Sequence, residues 1–189
     1  MRKILLTSIL YTVVTTILLG IGYPLLVTVI AKAAFPKQAN GSLIENKGII
    51  VGSSLIGQPF TADKYFHSRP SAAGTGYDAT ASGGSNFGAT SKKLVDRIAA
   101  DTATAQADHP GTPVPIDLVT ASASGLDPHI SPAAAEYQVS RIAKQRRISE
   151  AAVRSLVAKH TTQRTFGILG EPFVNVLELN LDLDNINAD

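Results

Sequence analysis

Residues 4–31 read ILLTSILYTVVTTILLGIGYPLLVTVIA, a run of 28 without one ionisable acid or base. As a helix rising 1.5 Å per residue it would reach roughly 42 Å, against the roughly 30 Å of a bilayer core. Residues 4–23 suffice to span before Pro24 interrupts the hydrogen-bond ladder. The competing reading is a secretory leader, with Arg2-Lys3 as its charged start and Ala31-Lys32-Ala33 as its cleavage site. Leader h-regions run about 7–15 residues, so the length favours an uncleaved membrane anchor. Within the run, Thr7, Ser8, Thr12, Thr15, Thr16, Gly20 and Gly22 offer small or hydroxylated surface, and Thr12, Thr16 and Gly20 form the expected helix-packing face.

Charge separates this anchor from the rest. All 15 acidic residues lie beyond Asn40, while Arg2, Lys3, Lys32 and Lys37 flank the apolar run. Setting those four aside leaves 13 of the 17 basic residues against 15 acidic ones, so the polar part carries −2 although the chain carries +2. That balance offers no clustered basic surface for nucleic acid. The flanking charges on the two sides of the run are too even for the positive-inside rule to orient it. With no cysteine in the chain, disulfides, cysteine nucleophiles and cysteine-bound zinc are excluded.

Beyond Pro36 the pattern reads as one mixed domain. Residues 48–57 (GIIVGSSLIG) predict a short buried strand and turn, with β-branched residues between glycines. Residues 71–90 are rich in Gly, Ala, Ser and Thr and predict a long loop. Three helices follow. One begins at Ser91, places Leu94, Val95 and Ile98 on one side and stops at His109-Pro110-Gly111. The next is capped by Ser131 before Pro132, with Ala135, Val139, Ile142 and Ala143 as its buried stripe and Arg146 and Arg147 near its C-terminus. The last starts at Ser149, with Ile148 and Val153 at the spacing of a hydrophobic staple. Finally, Leu177, Leu179, Leu181 and Leu183 alternate with polar residues and predict a half-buried strand, bulged near Leu177. Strands at both ends with helices between give an α+β (mixed α/β) soluble domain on a single N-terminal transmembrane helix.

Several groups invite chemical readings. Backbone N–H groups of Ser82-Gly83-Gly84-Ser85-Asn86 could cradle a phosphate ahead of a helix N-terminus. The spacing of a phosphate-binding loop with its lysine is absent, and a structural turn accounts for the same residues. Asp127 and His129, with a serine such as Ser131, would suit an independent membrane-anchored hydrolase, although no nucleophile elbow is present. A turn entering the Ser131 helix is the simpler role for Asp127 and His129. Asp63 and His67 are two ligands at most and do not make a metal site. Tyr65-Phe66 reads as a packed aromatic pair and Arg69 as a structural or interface arginine. Asp182, Asp184 and Asp189 read as a solvated acidic tail. The residues alone thus designate no catalytic group, no metal and no firmly bound cofactor.

An ordered set of segments carries a resemblance. These are residues 52–58 (GSSLIGQ), Tyr65-Phe66 with Arg69-Pro70-Ser71-Ala72, and Ser82-Gly83-Gly84-Ser85-Asn86. Then come Val119-Thr120-Ala121-Ser122, Gly125-Leu126-Asp127-Pro128-His129-Ile130-Ser131-Pro132, and Gly170-Glu171-Pro172 with Val174-Asn175-Val176-Leu177. Together with the apolar run they cover nearly the whole chain, and in that order they resemble the C subunit of the potassium-transporting P-type ATPase, the KdpC family. The resemblance implies a non-catalytic accessory subunit in the cell inner membrane, alongside a channel-like potassium-binding subunit and an ATP-hydrolysing pump subunit. It implies a role in assembly, and two further roles attributed to the family: a catalytic chaperone raising the pump subunit's ATP affinity, and an extracytoplasmic cap near the potassium entrance. ATP would be met through the pump subunit, with Ser82–Asn86 as the candidate contact. Arg69, Pro70, Asp127, Pro128, His129, Glu171 and Asn175 become motif residues with structural or interface roles. Phe173 stands where the family usually carries arginine. The implied order is a cytoplasmic N-terminus at 1–3, a transmembrane helix at 4–31, a linker at 32–47 and a periplasmic domain at 48–189.

Overall fold

A computed structural model describes residues 1–186; Asp189, the last acid of the expected tail, lies outside the described residues. The chain divides into two compact units, Met1–Ser53 and a second beginning at Ser54.

The first unit holds one continuous helix, Arg2–Ala34, long and apolar enough to cross a membrane and with none of its apolar window buried. It comprises α1 (Arg2–Thr15), a π-helical stretch (Thr16–Gly22) and α2 (Tyr23–Ala34). The wide turn ends just before Pro24, which has no N–H to give and whose ring crowds the preceding turn. Thr7, Ser8, Thr12 and Thr15 donate their hydroxyls to the carbonyl four residues back, at 2.8–3.0 Å. Hydroxyls satisfied within their own helix bring little unpaired polarity into hydrocarbon.

A short α3 (Pro36–Ala39) leads to a hairpin of β1 (Leu43–Asn46) and β2 (Ile49–Ser53). Lys47 (φ 52°) and Gly48 (φ 79°) form its two-residue turn, the left-handed geometry that matches strand twist. The expected strand after Gly48 is therefore present, but its isoleucines are not buried: Ile49 and Ile50 are exposed, and among the described residues β2 pairs with β1 alone. The stretch expected as a linker, 32–47, contains the end of α2, α3 and β1.

Among the described residues, the second unit is built on four α-helices and a small sheet. Its elements are α4 (Lys92–Asp108), β3 (His129–Ile130), α5 (Pro132–Arg146), α6 (Glu150–Lys159), β4 (Thr161–Thr162), β5 (Phe173–Asn175) and α7 (Val176–Asp184). The sheet is antiparallel with order β3-β5-β4, pairing Ile130 and Thr161 with Val174 from either side. Ser131 and Ser149 accept the N–H of Ala134 and Ala152 at 3.1 Å, the two predicted N-caps. Arg147, left-handed at φ 58°, ends α5. Ala135, Val139, Ile142 and Ala143 face inward as expected, and with Phe66, Ile130, Val153, Val174, Val176, Leu179 and Leu183 they make the core. On α4, Leu94 and Ile98 are half-buried but Val95 is exposed. Residues 71–90 form a long loop without helix or strand.

The expected C-terminal strand is absent. Residues 177–183 are helix, not strand. Val176, Leu179, Asn180 and Leu183 are all buried at helical spacing, and this stripe outweighs the alternating leucines. Asn175 starts α7 by accepting the Glu178 N–H at 3.1 Å, so β5 turns directly into a helix where a bulge was expected. The acidic tail is not simply solvated either. Asp182 receives Lys159 at 2.6 Å and His160 at 2.9 Å, and Asp184 receives Arg146 at 2.6 Å and the Tyr65 hydroxyl at 2.9 Å.

Candidate functional site

The segments singled out in sequence converge on residues 122–129. Gly57 donates its N–H to the Leu126 carbonyl at 2.8 Å, and a Cβ on Gly57 would stand 2.7 Å from the Asp127 carbonyl oxygen. Only glycine allows the two backbones to lie this close. The Asp127 carboxylate accepts from Arg69 Nη1 and from its own neighbour's backbone, the His129 N–H, both at 3.0 Å. Arg69 also donates through Nε to the Thr120 carbonyl at 3.3 Å. One arginine thus ties three segments, and Pro70 beside it lines a cleft of about 510 Å³ with Phe60, Tyr77 and Tyr137.

Ser71 donates to the Gly125 carbonyl at 2.6 Å and accepts the Tyr77 N–H at 2.7 Å, while the Tyr77 hydroxyl donates to the Arg69 carbonyl. Burial pushes the Tyr77 phenol above its usual pKa. Gly125 has φ +66°, and a Cβ there would lie 2.6 Å from the Ala73 nitrogen and 2.7 Å from the Gly83 carbonyl oxygen. Ser82–Asn86 docks on the same place: Gly83 N–H and Ser82 Oγ both donate to the Ser124 carbonyl, at 2.8 and 2.9 Å. Gly84 packs against Ala123, and Asn86 turns the chain at φ 52°. One backbone donor of the candidate phosphate cradle, the Gly83 N–H, is therefore engaged inside the chain together with the Ser82 hydroxyl, whereas Ser85 is half-buried and Asn86 exposed.

The far side of the hub is β3 and β5. The ring of His129 lies against Phe173 with centroids 4.2 Å apart. Burial lowers the His129 pKa, opposed by the nearby charges of Asp127 and Glu178. Pro128 is buried, and its carbonyl accepts the Val176 N–H at 3.0 Å. Asn175 donates to the Ser54 carbonyl at 2.8 Å. Ser131, the nucleophile of the hydrolase reading, caps α5 with its oxygen, and its N–H donates to Asp117 at 2.5 Å.

Arg69, Pro70, Asp127, Pro128, His129 and Asn175 are thus brought to one hub, with Ser82–Asn86 docked on it. Glu171 is elsewhere, exposed and paired with Arg164 in the loop between β4 and β5. Thr12, Thr16 and Gly20 lie on the apolar helix, with the Thr16 methyl 3.8 Å from where a Gly20 Cβ would be. Among the described residues no three His, Cys, Asp or Glu side chains are placed to hold a metal ion. Tyr65 and Phe66 do not pack as a pair. Phe66 is buried in the core, while Tyr65 turns outward to Phe60, at 5.5 Å, and to the Arg146 guanidinium, at 5.0 Å.

Two amides escaped the sequence reading. Asn180 accepts the Phe66 N–H and donates to the Phe66 carbonyl, both at 2.9 Å. Gln138 does the same for His67, at 2.8 and 3.2 Å. They replace the strand that would otherwise satisfy this extended segment. Their signal was a polar residue inside a buried helical stripe.

A family model described as "KdpC: K+-transporting ATPase, c chain" matches residues 5–185. Among curated proteins, the chain is 59% identical over 184 residues to the potassium-transporting ATPase KdpC subunit of Koribacter versatilis, covering 97% of this chain and 95% of that one. It is 56% identical over 181 residues to the subunit of the same name from Acidobacterium capsulatum, covering 96% and 97%. A Burkholderia cenocepacia relative of the same name is 53% identical over 193 residues, covering 100% and 99%.

Proposed function

The chain belongs to the KdpC family of K+-transporting ATPase c chains, and from that premise we propose that it is a non-catalytic accessory subunit of an ATP-driven potassium importer. It joins a channel-like potassium-binding subunit and an ATP-hydrolysing subunit in the cell inner membrane and holds them in a competent assembly. The observation that carries this reading is that the match spans the apolar helix and the polar domain together. The chemistry of the hub supports it. The Asp127 carboxylate bonds to Arg69 and a backbone N–H, and Ser131 is a helix cap, so these groups serve the domain's own architecture.

In this reading the domain lies on the extracytoplasmic side, and the helix packs on the channel-like subunit through Thr12, Thr16 and Gly20. Any rise in the pump subunit's ATP affinity is then transmitted through assembly. Direct nucleotide contact at Ser82–Asn86 would require the domain to face the cytoplasm.

The deciding experiment deletes this chain, then measures co-purification of the other subunits and potassium uptake at low external potassium. Loss of both is expected; normal assembly and transport without the chain would sink the reading. Protease added to intact spheroplasts tests the side: cleavage of the domain is expected, and protection until lysis would move the nucleotide contact to the front.

A further inference from the structure

Among the described residues of the second unit, the loop between β4 and β5 carries the largest cluster of exposed apolar side chains. Phe166 is 88%, Ile168 75% and Leu169 57% exposed, three large side chains within four residues. Elsewhere among the described residues of that unit such side chains are exposed singly, apart from the adjacent pair Leu55 at 60% and Ile56 at 38%; single exposed apolar residues need no explanation.

The loop is also held in shape. Thr165 and Leu169 form a β-bridge, and the Thr165 N–H donates to Leu169 at 2.9 Å. Gly167 N–H donates to Arg164 at 3.0 Å, and Arg164 pairs with Glu171 across the base. Phe166, Gly167 and Gly170 all have positive φ, at 55°, 77° and 76°. A left-handed phenylalanine is uncommon and is tolerated only where its surroundings fix it.

We infer that residues 164–171 form a preformed docking knob whose apolar tip enters a pocket on another protein subunit of the same membrane complex. This rests on the subunit reading above. Two observations favour a protein pocket over a lipid surface. Loops and helices that bind anionic membranes carry a basic fringe, whereas here the one arginine at the base is neutralised by Glu171. A preorganised tip also gains most from a shaped cavity, since little conformational freedom is lost on docking.

The test places a photo-crosslinking amino acid at 166 or 168 in the full-length, tagged chain, expressed with its complex in native membranes. Position 103, exposed on α4, serves as the control. The expected result is a crosslink from 166 and 168, not from 103, to another subunit identified by mass. A crosslink only to lipid, only to a second copy of this chain, or to nothing while the complex still co-purifies overturns the docking knob and leaves the subunit reading intact. A wild-type chain that retains no other subunit overturns both. In parallel, Phe166→Asp should lower retained partner subunit by about tenfold or more, as loss of one buried apolar anchor does. Its full-length melting temperature should stay at the parent value; a matching fall in melting temperature would assign the loop a folding role and overturn docking.

Discussion

Phe66 and Phe166 show the two ways this domain uses an aromatic ring. Phe66 is 0% exposed, and its backbone is clasped on both sides by Asn180. Phe166 is 88% exposed on a loop whose hydrogen bonds are all local. The inner ring is held by elements far apart in sequence, so it reports on the whole fold. The outer ring can change without disturbing any of them. A substitution at the first site should therefore act through stability, and one at the second through association.

The largest break of that contrast is at Phe66. Phe66→Ala should cost about 3–5 kcal/mol, the range for deleting a core aromatic. Asn180→Leu keeps most of the volume but orphans a buried N–H and a carbonyl, at about 1–3 kcal/mol each. Both are read by denaturant melts of the full-length chain, and a loss under about 1 kcal/mol at either would mean the clasp is not a unit. Gly125→Ala comes next. It puts a methyl into contacts of 2.6–2.9 Å at φ +66°, and should cost about 2–4 kcal/mol unless the 71–77 and 82–86 segments can move apart.

The same contrast marks how far the sequence could be read. The apolar helix was legible because 28 uncharged residues have few other uses. Ser131-Pro132 and Ser149 announced α5 and α6, since capping is local chemistry and needs no tertiary partner. Residues 177–183 misled because four alternating leucines satisfy a period of two, while the stripe of Val176, Leu179, Asn180 and Leu183 includes a polar residue. Asn180 looks wrong for a core until Phe66, more than a hundred residues away, supplies its partner. The motif residues were legible by resemblance, but their convergence on 122–129 was not. It depends on backbone carbonyls of Ser124, Gly125 and Leu126, which no side-chain pattern encodes.

A smaller effect sits where α6 meets α7. Lys159 and His160 hold the Asp182 carboxyl at about 2, below its usual 3.8. A depressed carboxylate stabilises the fold above its unfolded pKa, and that stability is lost as pH falls through the window from 3.8 to about 2. Asp182→Asn should remove this part of the acid sensitivity while leaving Phe66 buried. Parent and variant melting curves that stay parallel from pH 5 to 2 would show that the pair contributes nothing, as many exposed pairs do.

The finest test concerns His129 and the Phe173 ring against it. Burial lowers the histidine pKa from 6.5, and Asp127 and Glu178 only partly offset this. Below 6.5 the unfolded chain therefore binds more protons than the folded one. Stability is full above that value and declines as pH falls toward the lowered pKa. If the Phe173 ring supplies the burial, Phe173→Ala should raise the His129 pKa toward 6.5 and flatten the decline, as followed by NMR titration of the imidazole C–H. An unchanged pKa would assign the desolvation to the hub itself. The contact would then be a packing feature without electrostatic consequence, and Phe173 would matter only for what meets the domain from outside.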